Sequence, residues 1–309
     1  MNRIPIAFAF DNNLVIPACV CISSLLMNAN MNTFYEIFIL HSENESIDKD
    51  KLNIISEYYK EKCIIRYIKV GNVFDNSYEI RGITTAAYYR LLIPELIPEF
   101  DKIIYADVDI IFRQDMASVY NINLETEYIA ATYDWGMIFS VDGQEYVKSV
   151  QGLSQGEYIQ SGFLLINSKQ IRKDGLVCKF IEEAKNNYKF QDQDILNIVC
   201  GKRKKNLPIQ YNMTDYAFFY MMKECDKLVP YTESNDIEKA KNIGTLHFNG
   251  HKPWKKYCVN FDIWWEYYRK SPIFDENYYF DFFHSKLNEL DQLSLWKRIK
   301  ILMRYFIIR

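Results

Sequence analysis

A chain of 309 residues is long enough for one large domain or two small ones, and a hydrophobic content of 49% can furnish a substantial core. The net charge of −3 includes five cations that follow the last acidic residue, Asp291, so the body of the chain is more acidic than the total suggests. An acidic body argues against nucleic acid as the main partner, whereas a basic tail favours an anionic surface.

Cysteine usage and hydropathy bear on the compartment. The seven cysteines are scattered, odd in number and never spaced Cys-x-x-Cys, so neither a disulfide framework nor a zinc knuckle is indicated. The segment from Met1 to Pro5 leads directly into an apolar strand pattern without the features of a secretory signal. No uninterrupted apolar run reaches the roughly 18 residues of an ordinary membrane span. We therefore expect a cytoplasmic protein.

The first hundred residues alternate between strand and helix patterns. The predicted elements are, in chain order, strand 4–10, a helix from Pro17 to residue 27, strand 34–40, a helix with Ser46 as its N-cap, strand 64–70, and helix 84–92, which stops before Pro94. This alternation predicts a parallel sheet wrapped by helices. Ligands of such a sheet bind beyond the carboxyl ends of its strands.

The next apolar run, residues 102–106, is followed by Asp107 and Asp109. On a strand, residues two apart point to the same side, so the two carboxylates would project together from a strand end. Crowded carboxylates repel each other unless a cation lies between them, and hard oxygen ligands suit Mg²⁺ or Mn²⁺. An Asp-x-Asp triplet found alone is more often a solvated strand end, so its interpretation as a metal site depends on the other motifs of the chain.

The second half of the chain has a mixed pattern. Strands are predicted at 129–133 and 161–167 and a helix at 193–199. After Cys258 the chain is rich in aromatic residues and is expected to form helices. The segment 293–309 combines apolar and aromatic residues with cations on one helical face, which suits an anionic membrane surface. The alternative is a terminal helix that packs on the body or forms an oligomer contact.

Three further segments could carry chemistry. The first strand runs into Asp11-Asn12-Asn13 instead of the glycines of a dinucleotide-binding turn, and these side chains could bind a base or ribose, although an ordinary turn favours the same residues. The segment from His247 to Lys252 offers an imidazole ligand, Gly250 for close approach to phosphate, and a cation; an isolated histidine of this kind more often caps a backbone group. The acidic start of the helix at residues 191–197 could simply complement the helix dipole.

Taken together and in order, these segments resemble glycosyltransferase family 8, which includes bacterial lipooligosaccharide galactosyl- and glucosyltransferases and the glycogenins. The resemblance covers residues 4–256 and rests on six ordered motifs: 8–13, 88–94, 105–109 (Tyr-Ala-Asp-Val-Asp), 161–167, 192–194 (Asp-Gln-Asp) and 247–254. It implies a GT-A type α/β fold, with a Rossmann-like nucleotide-binding mixed sheet flanked by helices. The catalytic domain would span residues 1–258, and 259–309 would be a helical, aromatic-rich region with a basic amphipathic tail.

The resemblance also implies roles for individual residues. Asp107, Asp109 and His247 would bind Mn²⁺, with Mg²⁺ as the alternative. Gln193, Asp192 and Arg90 would be catalytic, with Gln193 near the anomeric carbon. The residues expected to bind the UDP-hexose donor are Ala9, Phe10, Asp11, Asn13, Arg90, Asp107, Val108, Asp109, Gln160, Asp192, Gln193, Gly250 and Lys252.

The sequence departs from the family pattern at two places. Gln160 stands where the family commonly has Asn or a small equivalent, so the contact to the donor sugar differs. The loop from His247 to Lys252 is one residue shorter than usual, which leaves either His251 or Lys252 for the phosphate, and we favour Lys252.

The predicted protein is a cytoplasmic, Mn²⁺-dependent, retaining glycosyltransferase, at the inner face of the membrane if the tail binds there. It would move galactose or glucose from a UDP-sugar to a glycan or glycolipid acceptor in bacterial surface polysaccharide synthesis, with no nucleic-acid partner and with a homo-oligomer left open. A sugar-nucleotide pyrophosphorylase is the enzymatic alternative, but it would need a glycine-rich basic loop after the first strand. A non-catalytic carbohydrate-binding protein would have no need for carboxylates, histidine and lysine around a diphosphate.

Overall fold

The computed structural model describes residues 2–75, 77–79 and 85–307. The chain forms two compact units that divide between Pro272 and Ile273. The predicted division of function between residues 258 and 259 stays a prediction.

The first unit begins with an alternation of strands and helices. Its elements up to residue 120 are β1 (Asn2–Ala9), a 3₁₀ helix (Asn12–Leu14), α1 (Val15–Met27), β2 (Thr33–Ser42), α2 (Asp50–Tyr58), β3 (Cys63–Val70), two 3₁₀ helices (Asn72–Phe74 and Thr85–Leu92), α3 (Ile93–Leu96), β4 (Ile103–Ala106), β5 (Ile110–Ile111) and α4 (Ala117–Tyr120).

The remaining elements are mostly helical. They are β6 (Ile129–Ala131), α5 (Trp135–Phe139), α6 (Val141–Ser149), β7 (Phe163–Ile166), α7 (Ser168–Lys173), α8 (Leu176–Glu183), α9 (Gln191–Cys200), β8 (Lys204–Asn206), a 3₁₀ helix (Ile209–Tyr211), α10 (Asp215–Lys223), a 3₁₀ helix (Cys225–Lys227), α11 (Ser234–Ile243), β9 (Leu246–His247) and α12 (Phe261–Lys270). The second unit contains α13 (Glu276–Asp291) and α14 (Leu295–Ile307).

Seven strands form one mixed sheet in the order β3-β2-β1-β4-β7-β6-β8. The first four strands of the chain are parallel, whereas β7 runs antiparallel to both β4 and β6. This confirms the predicted mixed α/β fold. In β1 the residues from Ile4 to Ala9 are all buried, which is why the sequence there is continuously apolar and does not alternate.

The sheet topology places a crevice beside β1. The chain moves outward from β1 to β2 and β3, and then returns to the other side of β1 with β4. Open α/β sheets bind ligands beyond the carboxyl ends of the strands where the order reverses in this way. Because β7 is antiparallel, its amino end lies at the same edge, and the N–H of Asp107 donates to the carbonyl of Gly162 at 2.8 Å.

One local prediction is wrong, and another is confirmed in part. Ser46 does not cap α2, which begins at Asp50, because the side chain of Asn12 holds the preceding segment by hydrogen bonds to the Ser46 carbonyl and the Asp48 N–H, both at 2.7 Å. The helix predicted at 84–92 ends at Leu92, before Pro94, as predicted, but it is a 3₁₀ helix, and α3 follows directly with that proline in its first turn, where its missing N–H costs nothing. Thr84, where we placed the start of this helix, lies outside the described residues.

The second unit ends in a helix with an apolar and cationic surface. Leu295, Trp296 and Leu302 of α14 are exposed, and Lys297 and Lys300 lie on the same helix. Within the described residues, none of the helices has the length and apolar character that crossing a bilayer requires.

Candidate metal and nucleotide site

Asp107, Asp109 and His247 meet at the carboxyl edge of the sheet. The imidazole Nε2 lies 3.2 Å from Oδ1 of Asp109 and 3.8 Å from Oδ2 of Asp107, and one ligand atom from each residue falls within 4.8 Å of the others. We predicted that both carboxylates project from the end of a strand. Instead, β4 ends at Ala106, and both aspartates lie in the connection from β4 to β5. They reach the histidine because β5 pairs with β9, which places Ile110 opposite His247.

The chemistry of this cluster fits a divalent cation. Oδ1 of Asp109, the atom that faces the imidazole, is buried and has no hydrogen-bond partner among the described residues. Burial raises the pKa of Asp109, but the charge of Lys252 and the interaction with His247 lower it by more, so the net pKa lies well below the ordinary one. An ionised carboxylate with a free oxygen, a second carboxylate and an imidazole form a donor set that suits Mn²⁺.

Gly162 leaves the space that this cluster needs. A Cβ atom built there would lie 2.4 Å from Cε1 of His247 and 2.6 Å from Oδ2 of Asp107, far closer than an ordinary contact. We included Gly162 in the resemblance to the family but did not predict it as a site residue. Its signal in the sequence was the Ser-Gly pair at the start of a strand.

Arg90 lies beneath the cluster and joins two of the predicted residues. Its Nη2 donates to Oδ1 of Asp107 at 2.9 Å, its Nε lies 3.2 Å from Oδ2 of Asp192, and its Nη1 donates to the carbonyl of Ser161 at 2.7 Å. The guanidinium also covers the ring of Tyr105 at 4.3 Å. Because Arg90 is buried among these protein groups, its contacts hold the side chains of Asp107 and Asp192 in place. Direct contact with the donor stays a prediction.

Asp192 and Gln193 lie in the first turn of α9. Burial raises the pKa of Asp192 to about 6, although the nearby Arg90 opposes the shift. The amide of Gln193 is fixed at both ends: Nε2 donates to Oδ2 of Asp134 at 3.0 Å, and Oε1 accepts from the N–H of Ser161 at 3.1 Å.

Asp134 is a further residue of the site that we did not predict from the sequence. This carboxylate caps α5 by accepting from the N–H of Met137 at 3.2 Å, and burial raises its pKa. It follows β6, whose carboxyl end lies at the same edge of the sheet as that of β4. An acidic residue directly after a predicted strand was the signal that could have identified it.

A cavity of about 280 Å³ opens at the carboxyl ends of β1 and β2. Its lining includes Phe10, Asp11, Asn12, His41 and Tyr89. Asn13 is not part of this lining, and its N–H donates to Oδ1 of Asp11 at 2.9 Å. The predicted residue Ala9 is the last residue of β1, directly before the cavity. His41 and Tyr89 were not predicted as site residues, although His41 directly follows the strand predicted at 34–40.

The segment after β9 returns to the cluster. Nζ of Lys252 contacts Oδ2 of Asp109 and donates to the carbonyl of Phe248 at 2.6 Å, whereas His251 is exposed. A Cβ atom at Gly250 would lie 2.2 Å from Oδ2 of Asp215, so only glycine fits there without a shift. Val108 is buried between the two aspartates in sequence, and Gln160 is buried with its carboxamide oxygen turned towards the N–H of Gly162 at 2.7 Å.

A mixed α/β sheet with a cavity and an Asp-x-Asp/His cluster at its carboxyl edge defines a GT-A type nucleotide-binding protein. The chain belongs to the family described as glycosyl transferase family 8, whose sequence profile matches residues 5–258. It is a glycosyltransferase.

The chain is similar to several known members of this family. It is 26% identical over 240 residues to general stress protein A of Bacillus subtilis, covering 75% of this chain and 80% of that protein. It is 25% identical over 286 residues to lipopolysaccharide 1,2-glucosyltransferase of Escherichia coli, covering 86% of this chain and 78% of that protein. The fold is also that of the galactosyltransferase LgtC, solved with donor and acceptor sugar analogues, with a TM-score of 0.72, 22% identity, and coverage of 89% of this chain and 99% of that one.

Proposed function

We propose that this glycosyltransferase moves a hexose, galactose or glucose, from a UDP-sugar to a glycan or glycolipid acceptor of a bacterial cell surface. The observation that carries the proposal is the cluster of Asp107, Asp109 and His247 at the same sheet edge as the cavity of about 280 Å³. Similarity to a lipopolysaccharide glucosyltransferase and a lipopolysaccharide 1,3-galactosyltransferase supports the choice of sugars and acceptor class.

Different residues of the site would bind different parts of the UDP-sugar donor. Asp11, at the mouth of the cavity, would bind the uracil or ribose, and Lys252 with Gly250 would bind the diphosphate. Mn²⁺ would be held by Asp107, Asp109 and His247. Bound there, the cation supplies positive charge that stabilises the diphosphate as it leaves. Asp192 would accept hydrogen bonds from hydroxyls of the donor sugar.

The family resemblance implies retention of the anomeric configuration, and the residue expected beside the donor sugar bears on how retention is achieved. A double displacement needs a carboxylate nucleophile, whereas Gln193 presents an amide that is held by Asp134 and Ser161. We therefore favour attack by the acceptor hydroxyl on the face from which UDP leaves. The bond from the anomeric carbon to the phosphate oxygen breaks as the new glycosidic bond forms, and that phosphate oxygen takes the hydroxyl proton.

The test is UDP binding measured by calorimetry with Mn²⁺ and with EDTA. We expect UDP affinity to rise at least tenfold with Mn²⁺ and this gain to be lost in Asp109→Asn, because a ligand charge is removed. Asp101→Asn is the matched control, since Asp101 is an exposed partner of Lys169. Equal UDP affinity with Mn²⁺ and with EDTA would contradict the metal assignment.

A second part of the proposal concerns the tail. The exposed apolar residues Leu295, Trp296 and Leu302 of α14, together with its cations, support contact with an anionic membrane surface. We expect deletion of residues 293–309 to abolish co-sedimentation with phosphatidylglycerol vesicles. Unchanged co-sedimentation would refute this contact. A change of sedimentation coefficient without loss of vesicle binding would instead assign the tail to an oligomer contact.

A further inference from the structure

The ring of His247 is held from behind by a second buried side chain. Nδ1 of the imidazole lies 2.9 Å from Oδ1 of Asn212, and both residues are almost fully buried. The main chains are joined as well: the N–H of His247 donates to the carbonyl of Met213 at 3.0 Å, and the N–H of Met213 donates to the carbonyl of Thr245 at 2.8 Å. Asn212 is therefore placed by the same local structure that places the histidine.

Gln160 fixes the orientation of the Asn212 amide. Nδ2 of Asn212 donates to Oε1 of Gln160 at 2.6 Å, and the same Oε1 accepts from the N–H of Gly162 at 2.7 Å. A backbone N–H is always a donor, so an oxygen must face Gly162. If the Asn212 amide were turned over, its oxygen would oppose the Gln160 oxygen, and two acceptors would face each other.

This orientation decides which nitrogen of His247 carries the proton. Oδ1 of Asn212 can only accept, so Nδ1 of the imidazole must donate. In the neutral ring the lone pair then lies on Nε2, the atom that faces Asp107 and Asp109. A lone pair directed at two carboxylates is unfavourable by itself but is what coordination to a shared cation requires.

We propose that Asn212 and Gln160 are positioning residues that hold His247 in the tautomer and orientation of a metal ligand. The proposal rests on the metal site of the proposed function and adds two residues that we did not predict to support the metal ligands. It also gives a second meaning to the departure at position 160. The longer side chain of glutamine lets one oxygen reach both the Gly162 N–H and the Asn212 amide.

The experiment measures Mn²⁺ affinity without nucleotide, by electron paramagnetic resonance of free Mn²⁺, in four variants. We expect a 10- to 100-fold loss of affinity in Asn212→Leu, which has a similar volume but no acceptor. Asn212→Asp keeps an acceptor for Nδ1 but sets a second carboxylate oxygen against Oε1 of Gln160, so we expect a loss of about threefold from wild type, much smaller than in Asn212→Leu. Gln160→Met should fall between these, because Asn212 loses its anchor but keeps its oxygen.

Asn167→Leu is the control for the loss of a buried asparagine. Asn167 is buried at the opposite end of β7, where it donates to the carbonyls of Leu124 and Glu127. Its substitution should lower the melting temperature without changing Mn²⁺ affinity. If Asn212→Leu binds Mn²⁺ within twofold of wild type, or Asn212→Asp fails to restore binding in a folded protein, the positioning role is refuted. If the wild type itself binds no Mn²⁺, the metal site of the proposed function is refuted as well as the positioning role that rests on it.

Discussion

Substitution of Gly162 by alanine probes the metal cluster with a single methyl group. The new Cβ would lie 2.4 Å from Cε1 of His247 and 2.6 Å from Oδ2 of Asp107, whereas ordinary contacts begin at 3.4 Å. Relief of both contacts to 3.4 Å requires His247 to move by about 1.0 Å and Asp107 by about 0.8 Å, well beyond the tolerance of about 0.2 Å in metal–ligand distances. The backbone at Gly162 does not lie in the left-handed region, so alanine is otherwise allowed there.

We expect Gly162→Ala to lower Mn²⁺ affinity at least 100-fold, which corresponds to about 3 kcal/mol. Overpacking should lower the free energy of unfolding by a further 1–3 kcal/mol or so. Calorimetric titration with Mn²⁺ and urea denaturation measure the two effects separately. The control is Gly71→Ala, because the nearest atoms to a Cβ there, those of Glu43, are 3.6 Å away or more. Unchanged Mn²⁺ affinity in Gly162→Ala would refute the assignment of these ligands.

Three further outcomes follow from the charges around the cluster. Lys252→Met should weaken UDP binding in the presence of Mn²⁺ by roughly 10- to 100-fold. Without nucleotide, it should tighten Mn²⁺ binding, because the ammonium no longer competes with the cation for Asp109. A loss of both affinities in calorimetry would contradict this. Arg90→Met leaves the carboxylates of Asp107 and Asp192 without their buried partner, so it should lower the free energy of unfolding by about 3–5 kcal/mol. A loss below about 1 kcal/mol in urea denaturation would show that solvent already screens the two carboxylates. Because burial raises the pKa of Asp192 above 3.8 to about 6, its contribution to stability is fully present below pH 3.8 and is lost as the pH rises through about 6. The difference in unfolding free energy between wild type and Asp192→Asn should therefore change by up to about 3 kcal/mol between about pH 4 and pH 7, and a constant difference would be the contrary result.

The sequence predicted the parts of the fold that have a strong local signal. β1 and β4 contain continuous apolar runs, β3 alternates, and Asp107 and Asp109 interrupt an apolar run at a strand end. The pairing of β5 with β9 could not be predicted from pattern, because strands of two residues carry no periodic signal. The place of His247 beside the carboxylates therefore came from the family resemblance.

Buried polar residues in loops were the least predictable part of the site. Asn212 and Asp134 acquire their partners only when distant segments fold together. Nothing within a few residues of Asn212 distinguishes it from a turn residue, whereas the position of Asp134 directly after a predicted strand was a weak signal. Ser46 shows the converse case. It has the residue type of an N-cap, but the contacts made by Asn12 across 34 residues override that local preference.

The most direct test of the central claim is the release of UDP by the purified chain from a panel of UDP-sugars, with Mn²⁺ and with EDTA. We expect release from UDP-galactose or UDP-glucose that depends on the metal and increases when a suitable glycan acceptor is added. Release that is indifferent to Mn²⁺, or no turnover of either UDP-hexose under any of these conditions, would contradict a glycosyl transfer centred on Asp107, Asp109 and His247.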